Sequence, residues 1–253
     1  MNYRYKCGSK ILEFDAIPKL GQSKDVSVIL PTYNEEEGIA RIIDNLTTAL
    51  KGKSYEVIIV DDNSADNTPK IIDSYETSNV AVLHRYNTKG ILSAIIDGIK
   101  IARSNIVVTM DADFSHPPTK IPEMLKYAGQ YDIVSCSRFM KMGGVKAPFI
   151  KRCSTILLNR MLRLFLFDLH VTDFTGGFHA MKRDKFLNLN LRYHAVWGEF
   201  DMEIFYRAKK KGYKIKEIPF VYKYREEGKS KSENYLKYAY YYSKMAMMLR
   251  LFG

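Results

Sequence analysis

Three short segments of this 253-residue sequence bring carboxylates to the ends of apolar runs. Tyr33-Asn34-Glu35 follows Val26–Leu30 and Pro31, Asp61-Asp62 follows Glu56–Val60, and Asp111-Ala112-Asp113 follows Ile106–Met110. An Asp-x-Asp pair suits a divalent cation. Hard cations take oxygen ligands, and Mg²⁺ characteristically uses one or two carboxylates and fills its shell with water and substrate phosphate. Such a cation would neutralise a diphosphate leaving group. Taken singly, each acid could equally cap the helix that follows it. A structural sheet gains nothing by clustering like charges, so three such segments together favour a shared site.

The elements that must position these residues alternate. Apolar runs at 26–30, 56–60, 80–83 and 106–110 read as strands, and helical patterns cover 36–50, 65–77 and 91–103. Continuously apolar strands alternating with helices predict an α/β fold, a mainly parallel sheet covered on both faces. Ligands of such sheets bind beyond the carboxyl ends of the strands, where the three acid segments fall. Further along, the pattern predicts a turn at Ser115–Pro118, a helix at 121–129, a strand at 132–138 and a loop marked by Gly143-Gly144 and Pro148. An amphipathic helix at 150–167, a tight turn at Phe174–Phe178, a helix at 196–211, a strand at 213–224 and a Tyr- and Met-rich helix at 235–252 complete it. The expected division is an irregular N-terminal extension at 1–24, a catalytic domain at 25–232 and a C-terminal amphipathic helix at 233–253.

Glycine-rich phosphate loops are missing: neither G-x-G-x-x-G nor GxxxxGK[ST] occurs, which disfavours dinucleotide oxidoreductases and P-loop NTPases. His116, before Pro117, reads as a turn residue, and Cys136 as a small buried apolar residue. Three cysteines without CxxC spacing support neither a disulfide framework nor a zinc site, so a reducing cytosol is expected. The polar start shows no signal peptide, and no apolar run is long enough to span a bilayer.

Lys and Arg number 39 against 28 Asp and Glu, a net charge of +11 that points to an anionic partner. Seven of these basic residues lie between Arg138 and Phe167 with no acid among them, beside the apolar positions of the helix predicted there. A helix with apolar and basic faces suits a membrane interface, although packing against the domain core would explain the same pattern.

As a set, Val28-Ile-Leu-Pro-Thr-Tyr-Asn-Glu-Glu36, Val60-Asp-Asp-Asn-Ser64 and Met110-Asp-Ala-Asp-Phe-Ser-His-Pro-Pro118 resemble family 2 glycosyltransferases of GT-A fold. Ser137-Arg138, Gly143-Gly-Val145, Lys151-Arg152, Asp173–Phe178, Glu203–Ala208 and Arg225–Lys231 extend the resemblance to the dolichyl- (polyprenyl-) phosphate mannose synthases, over about residues 26 to 235. The resemblance implies that Pro31, Tyr33, Glu35 and Asp62 hold the nucleoside, and that Asp111, Ala112 and Asp113 serve the diphosphate. Asp111, Asp113 and Ser115 would meet a Mg²⁺ or Mn²⁺ ion. Arg138 and Arg152 would meet the acceptor lipid phosphate, and Arg225 and Lys231 would close over the phosphates. The implied reaction is inverting transfer of a hexose, mannose from GDP-mannose first, to a polyprenyl or dolichyl monophosphate. The enzyme would work peripherally on the cytosolic membrane face, with or without a membrane-anchoring partner.

Four positions depart from the pattern. Ser115 stands where many relatives have Gln, His179 where Arg is usual and Asp201 where Gln is common, and Lys89-Gly-Ile-Leu92 lacks a second Gly. The same fold could use UDP-glucose or another donor. A basic nucleic-acid-binding protein is the non-enzymatic alternative, but it shows no reader motif and leaves the strand-end acids unexplained.

Overall fold

The computed structural model describes residues 2–8, 10–17, 21, 23–75, 77–166, 171–191, 198–223 and 235–253, apart from the side chains of 150, 151, 235 and 236. Its centre is a parallel sheet of β3 (Val26–Thr32), β4 (Tyr55–Asp61), β5 (Val80–Arg85) and β6 (Ile106–Thr109). β4 lies between β3 and β5, and β6 pairs with the other side of β3, all parallel. Every residue of β4 is buried, as expected of a strand covered on both faces. On one face α1 (Ile39–Ala49) buries Ile39, Ile42, Ile43 and Leu46, a spacing that puts one apolar stripe against the sheet. On the other, α3 (Ile91–Ile101) buries Ile95 and Ile99.

Gly98 in α3 is where helix and sheet come closest. A Cβ there would lie 2.7 Å from Ile29 Cγ2 and 2.9 Å from Val60 Cγ2. Both methyls belong to β-branched residues with little rotamer freedom. Gly98→Ala is therefore expected to lose about 1–3 kcal/mol of packing, against the roughly 1 kcal/mol that alanine gains over glycine in a helix. A lowered denaturation midpoint in urea, without a change of slope, is the expected reading.

Beyond β6 the sheet turns mixed. β7 (Ile133–Ser137) and β10 (Ile215–Pro219) pair in parallel, but β9 (His179–Lys182) lies between β6 and β7 and is antiparallel to both. At the far end, β1 (Tyr3–Cys7) pairs antiparallel with β5 and β2 (Lys10–Phe14) with β1. The order is β10-β7-β9-β6-β3-β4-β5-β1-β2.

Three readings of the sequence change here. The irregular lead-in at 1–24 contains two strands, and Tyr5 is core at 4% exposure. The strand at 213–224 breaks at Phe220, whose N–H donates to the Ser137 carbonyl. Its second piece, β11 (Val221–Lys223), pairs with β8 (Gly144–Lys146), inside the expected loop. The predicted tight turn at 174–178 leads directly into β9.

α2 (Thr68–Asp73), α4 (Ile121–Ala128), α5 (Phe149–Phe165), α7 (Phe200–Lys210) and α8 (Tyr235–Phe252) lie near their expected places, and the short α6 spans Arg183–Leu187. α8 packs on both α5 and α7. Among the described residues no helix is long and apolar enough to cross a membrane.

Candidate active site

Because β4, β3 and β6 are parallel neighbours, their carboxyl ends share one edge of the sheet. Each chain leaves that edge through a residue with left-handed backbone: Asn34 at φ 51°, Asn63 at φ 57° and Phe114 at φ 63°. Asparagine tolerates this region; phenylalanine there is uncommon and must be held. Phe114 is held from two sides. Arg41 stacks 4.2 Å from its ring centroid, and Gly38 leaves room for its edge, since a Cβ there would come within 2.8 Å of the ring. These turns open onto a cavity of about 650 Å³. Pro31, Tyr33, Glu35, Asp62, Asp111, Ala112, Asp113 and Arg138 all line it.

On the β4 side, Asp62 accepts a hydrogen bond of 2.8 Å from the Gly90 N–H at the start of α3. Gly90 has φ 127°, a region closed to most side chains. Arg85, with no exposed surface, pairs with Asp62 at 3.2 Å and with Asp97 at 3.4 Å. Burial raises the Asp62 pKa, opposed by the Gly90 hydrogen bond and by Arg85. Lys89 sits 4.8 Å from the Tyr33 ring centroid and lines the same cavity.

The β6 end is acidic. Enclosure in the protein, and the nearby Asp113, Asp201 and Glu35 carboxylates, push the Asp111 carboxyl well above the usual carboxylate range. Its side chain nevertheless keeps 45% of its surface open to the cavity. Among the described residues no three His, Cys, Asp or Glu side chains close on one point as a metal cage. An open Asp111/Asp113 pair with mutually repelling neighbours fits a cation that takes its other ligands from phosphate and water. Ser115 does not line the cavity. It is 1% exposed, its N–H donates to Asp113 Oδ1 at 3.1 Å, and its hydroxyl has no partner among the described residues.

His116 is more than a turn residue. It is 2% exposed, lines the cavity and stacks on Phe178 with centroids 5.0 Å apart. Its Nδ1 accepts the Asp111 N–H at 3.0 Å. Burial lowers its pKa to about 4, so the ring is neutral near pH 7 and Nε2 carries the proton.

The departures at 179 and 201 prove to be partners. His179 Nε2 lies 3.1 Å from Asp201 Oδ1, and its Nδ1 lies 3.0 Å from Ser135 Oγ. Asp201 Oδ2 accepts the Gly177 N–H at 2.7 Å. The order Ser135–His179–Asp201 resembles a hydrolytic triad, but Ser135 has no exposed surface and meets no substrate. What reaches the cavity is Asp201, with His179 behind it.

Further lining comes from Arg138, just past β7, and from α5, α7 and α8. Arg138 donates through Nε and Nη2 to both Asp173 oxygens, each at 2.7 Å, and also meets Thr175. A substrate phosphate would have to share this guanidinium with Asp173. Leu158, Phe200, Tyr238 and Tyr242 give the wall an apolar stretch. Arg152 is exposed on α5 beside Phe149 and does not line the cavity. Arg225 and Lys231 lie outside the described residues.

The reading of the sequence missed Lys89, His116 and Gly177 as cavity residues and left Asp201 without a role. The signal for His116 was its place three residues after the acid triplet. Gly177 (φ 65°) shows its need only in three dimensions: an added Cβ would sit 3.4 Å from His116 Cε1.

Comparison with known proteins agrees with this geometry. Residues 27–189 match the model of glycosyl transferase family 2. A dolichol-phosphate mannosyltransferase of Pyrococcus furiosus is 33% identical over 226 residues, covering 85% of this chain and 62% of that protein. An undecaprenyl-phosphate 4-deoxy-4-formamido-L-arabinose transferase of Pectobacterium carotovorum is 35% identical over 147 residues, 55% of this chain and 43% of that protein. The chain thus spans less than two thirds of either relative. Among solved structures, a glucosyl-3-phosphoglycerate synthase from Mycobacterium tuberculosis, in complex with Mn²⁺, UDP-glucose and phosphoglyceric acid, superposes with a TM-score of 0.70 at 18% identity. That match covers 89% of this chain and 79% of that one, and it shows a shared GT-A-like fold. With the family model spanning more than half of its length, the chain belongs to glycosyl transferase family 2.

Proposed function

We propose that this protein transfers a hexose from a nucleotide-sugar to a polyprenyl or dolichyl monophosphate, with GDP-mannose as the first candidate donor. The observation that carries the reading is one cavity lined both by the strand-end acids and by Arg138 with apolar side chains of α5, α7 and α8. The acids suit a nucleoside diphosphate with its cation, and Arg138 beside apolar side chains suits a phosphate on an apolar chain. The names of the two sequence relatives, both polyprenyl-phosphate sugar transferases, support the acceptor class.

In this reading Pro31, Tyr33, Glu35 and Asp62 receive the nucleoside, and Lys89 lies close enough to reach it. Asp111 and Asp113 would hold Mg²⁺ or Mn²⁺, which when bound neutralises the departing diphosphate. A lipid phosphate oxygen attacks C1 of the sugar. The O–C1 bond forms as the bond from C1 to the diphosphate breaks, and the electron pair leaves with the nucleoside diphosphate. A phosphate monoester is already ionised near neutral pH, its second pKa being about 6, so no strong base is needed. Arg138 would orient the attacking phosphate, and catalysis rests on positioning and electrostatics. Arg225 and Lys231 would close over the phosphates.

The outer surface of α5 supports peripheral membrane contact, which the reading assigns to the cytosolic face. It exposes Phe149, Leu157, Met161 and Leu164 together with Arg152, Arg160 and Arg163. Cations beside apolar side chains suit anionic headgroups, each basic residue contributing about 1 kcal/mol near such a surface. Arg160→Gln with Arg163→Gln is expected to weaken binding to anionic liposomes, read by sedimentation, by about thirtyfold and to leave neutral liposomes unaffected.

The function is tested by incubating the protein with GDP-mannose, UDP-glucose and related donors, short polyprenyl phosphates and Mn²⁺, and reading products by mass spectrometry. A hexosyl polyprenyl phosphate formed from GDP-mannose is the expected product. Transfer from UDP-glucose alone would reassign the donor, and no transfer from any donor would refute the reading.

A further inference from the structure

Adjoining the cavity-lining Asp62 through Asp61 is a charged cluster that the proposed reaction does not use. His84 on β5 is 3% exposed. Its Nδ1 lies 3.3 Å from Asp61 Oδ2 on β4, and its Nε2 lies 3.2 Å from Asp73 Oδ1 on α2. Carboxylates only accept, so both ring nitrogens must donate, and only the imidazolium does that. Asp73 is in turn clamped by the N-terminal strand. Arg4 Nη1 lies 3.2 Å from Asp73 Oδ2, and Lys6 Nζ donates to the Asp73 carbonyl.

A buried ion cluster could be purely structural. The contacts on its other side argue for more. The Ser64 hydroxyl donates to Asp61 Oδ1 at 2.5 Å, and the Ser64 N–H reaches Asp61 Oδ2 at 3.3 Å. With its proton committed to Asp61, Ser64 Oγ accepts the Asn34 N–H at 2.9 Å. Asn34 is the left-handed residue between Tyr33 and Glu35, both of which line the cavity. A non-glycine residue keeps such a conformation when its surroundings over-determine it. The chain of contacts thus runs from the β1 edge, through Asp73, His84, Asp61 and Ser64, to the turn that presents the donor-facing side chains.

We propose that His84 is a positioning residue of the donor site, fixing the Tyr33–Glu35 turn through Asp61 and Ser64 and coupling it to the N-terminal strand β1. The inference rests on the donor-site reading above. The groups facing His84 are Asp61 from β4 and Asp73 from α2, with Arg4 and Lys6 of β1 bound to Asp73, and the Tyr86 ring stacked 6.4 Å away. Burial by itself would lower the His84 pKa, but the hydrogen bonds to Asp61 and Asp73 outweigh it and raise it. A raised pKa means that the bridge is complete at low pH and is lost as pH rises through the folded value.

The test is calorimetric titration of GDP and UDP with Mn²⁺, from about pH 6 to about pH 9, into wild type, His84→Leu and Asp73→Asn, with circular dichroism to confirm folding. Wild type is expected to bind more weakly as pH rises. His84→Leu should bind about tenfold more weakly at the acidic end and lose the pH dependence. Its KM for the donor should rise by a similar factor while kcat changes little. Asp73→Asn, at a partly exposed position, removes one of the two charges facing His84. It should move the midpoint of the pH dependence down by about one unit. Folded His84→Leu within twofold of wild type at every pH, or an unshifted midpoint in Asp73→Asn, would overturn the proposal. Wild type that binds no nucleoside diphosphate at all would instead refute the donor site, and this inference with it.

Discussion

Asp113→Ala is expected to lower kcat for sugar transfer by about 10²–10³-fold, the usual cost of removing one preorganised group that stabilises transition-state charge. Asp113 lines the cavity beside Asp111, and its Oδ1 is oriented by the Ser115 N–H. In the proposed reaction, charge would develop on the departing diphosphate as its bond to C1 breaks. A cation held there acts more strongly in the transition state than in the ground state, so the loss should fall on kcat. Removing one carboxylate also weakens the cation itself. Wild type should therefore show a thermal shift with a nucleoside diphosphate that requires Mn²⁺ or Mg²⁺, and the variant should show none at the same cation concentration. Full lipid glycosylation by Asp113→Ala would remove the carboxylate pair from the mechanism.

Asp173→Ala is expected to cost about 3–5 kcal/mol of stability, because it strands the buried Arg138 charge. The Arg138 side chain is 8% exposed and that of Asp173 is 0% exposed. Asp173 also accepts the Arg138 backbone N–H, at 3.0 Å, so its loss orphans a second donor. For a chain of this size each kcal/mol lowers Tm by about 2–4 °C, so a fall of about 6–20 °C is expected by calorimetry. Asp173→Asn keeps part of the hydrogen bonding and should lose less. Burial alone would raise the Asp173 pKa, but Arg138 outweighs it and holds the carboxyl below its usual value. This stabilisation is therefore present above the unfolded pKa and lost as pH falls through the folded one. The acid limb of the stability curve should flatten in Asp173→Asn. Wild-type Tm in Asp173→Ala would mean that water reaches the guanidinium.

The fold was legible where one element decides its own face. The runs at 26–30, 56–60 and 106–110 are too apolar to be anything but interior strands, and each gives way to an acid segment where it leaves the sheet. The edges were harder. β1 alternates Tyr3, Tyr5 and Cys7 with Arg4 and Lys6, a half-buried strand pattern, but five residues are too few to separate it from an irregular lead-in. β9 is only four residues long, and its place is set by the two strands it lies between.

By itself, then, the sequence determined the parallel centre of the sheet, the edge at which ligands meet it and the acids placed there. Asp111-Ala112-Asp113 and its companions are local: strand, stop and carboxylate lie within a few residues. The tertiary structure decided what stands behind and across from them. Arg138 and Asp173 are 35 residues apart and His179 and Asp201 are 22 apart, and nothing in either segment names its partner. Burial turned His116 from a turn residue into a neutral cavity wall, and it left Ser115 out of the cavity lining. The same holds for His84, whose two carboxylates come from β4 and α2 and whose clamp comes from β1. Charge pairing acts through space at a few ångströms, and only the folded chain sets those distances.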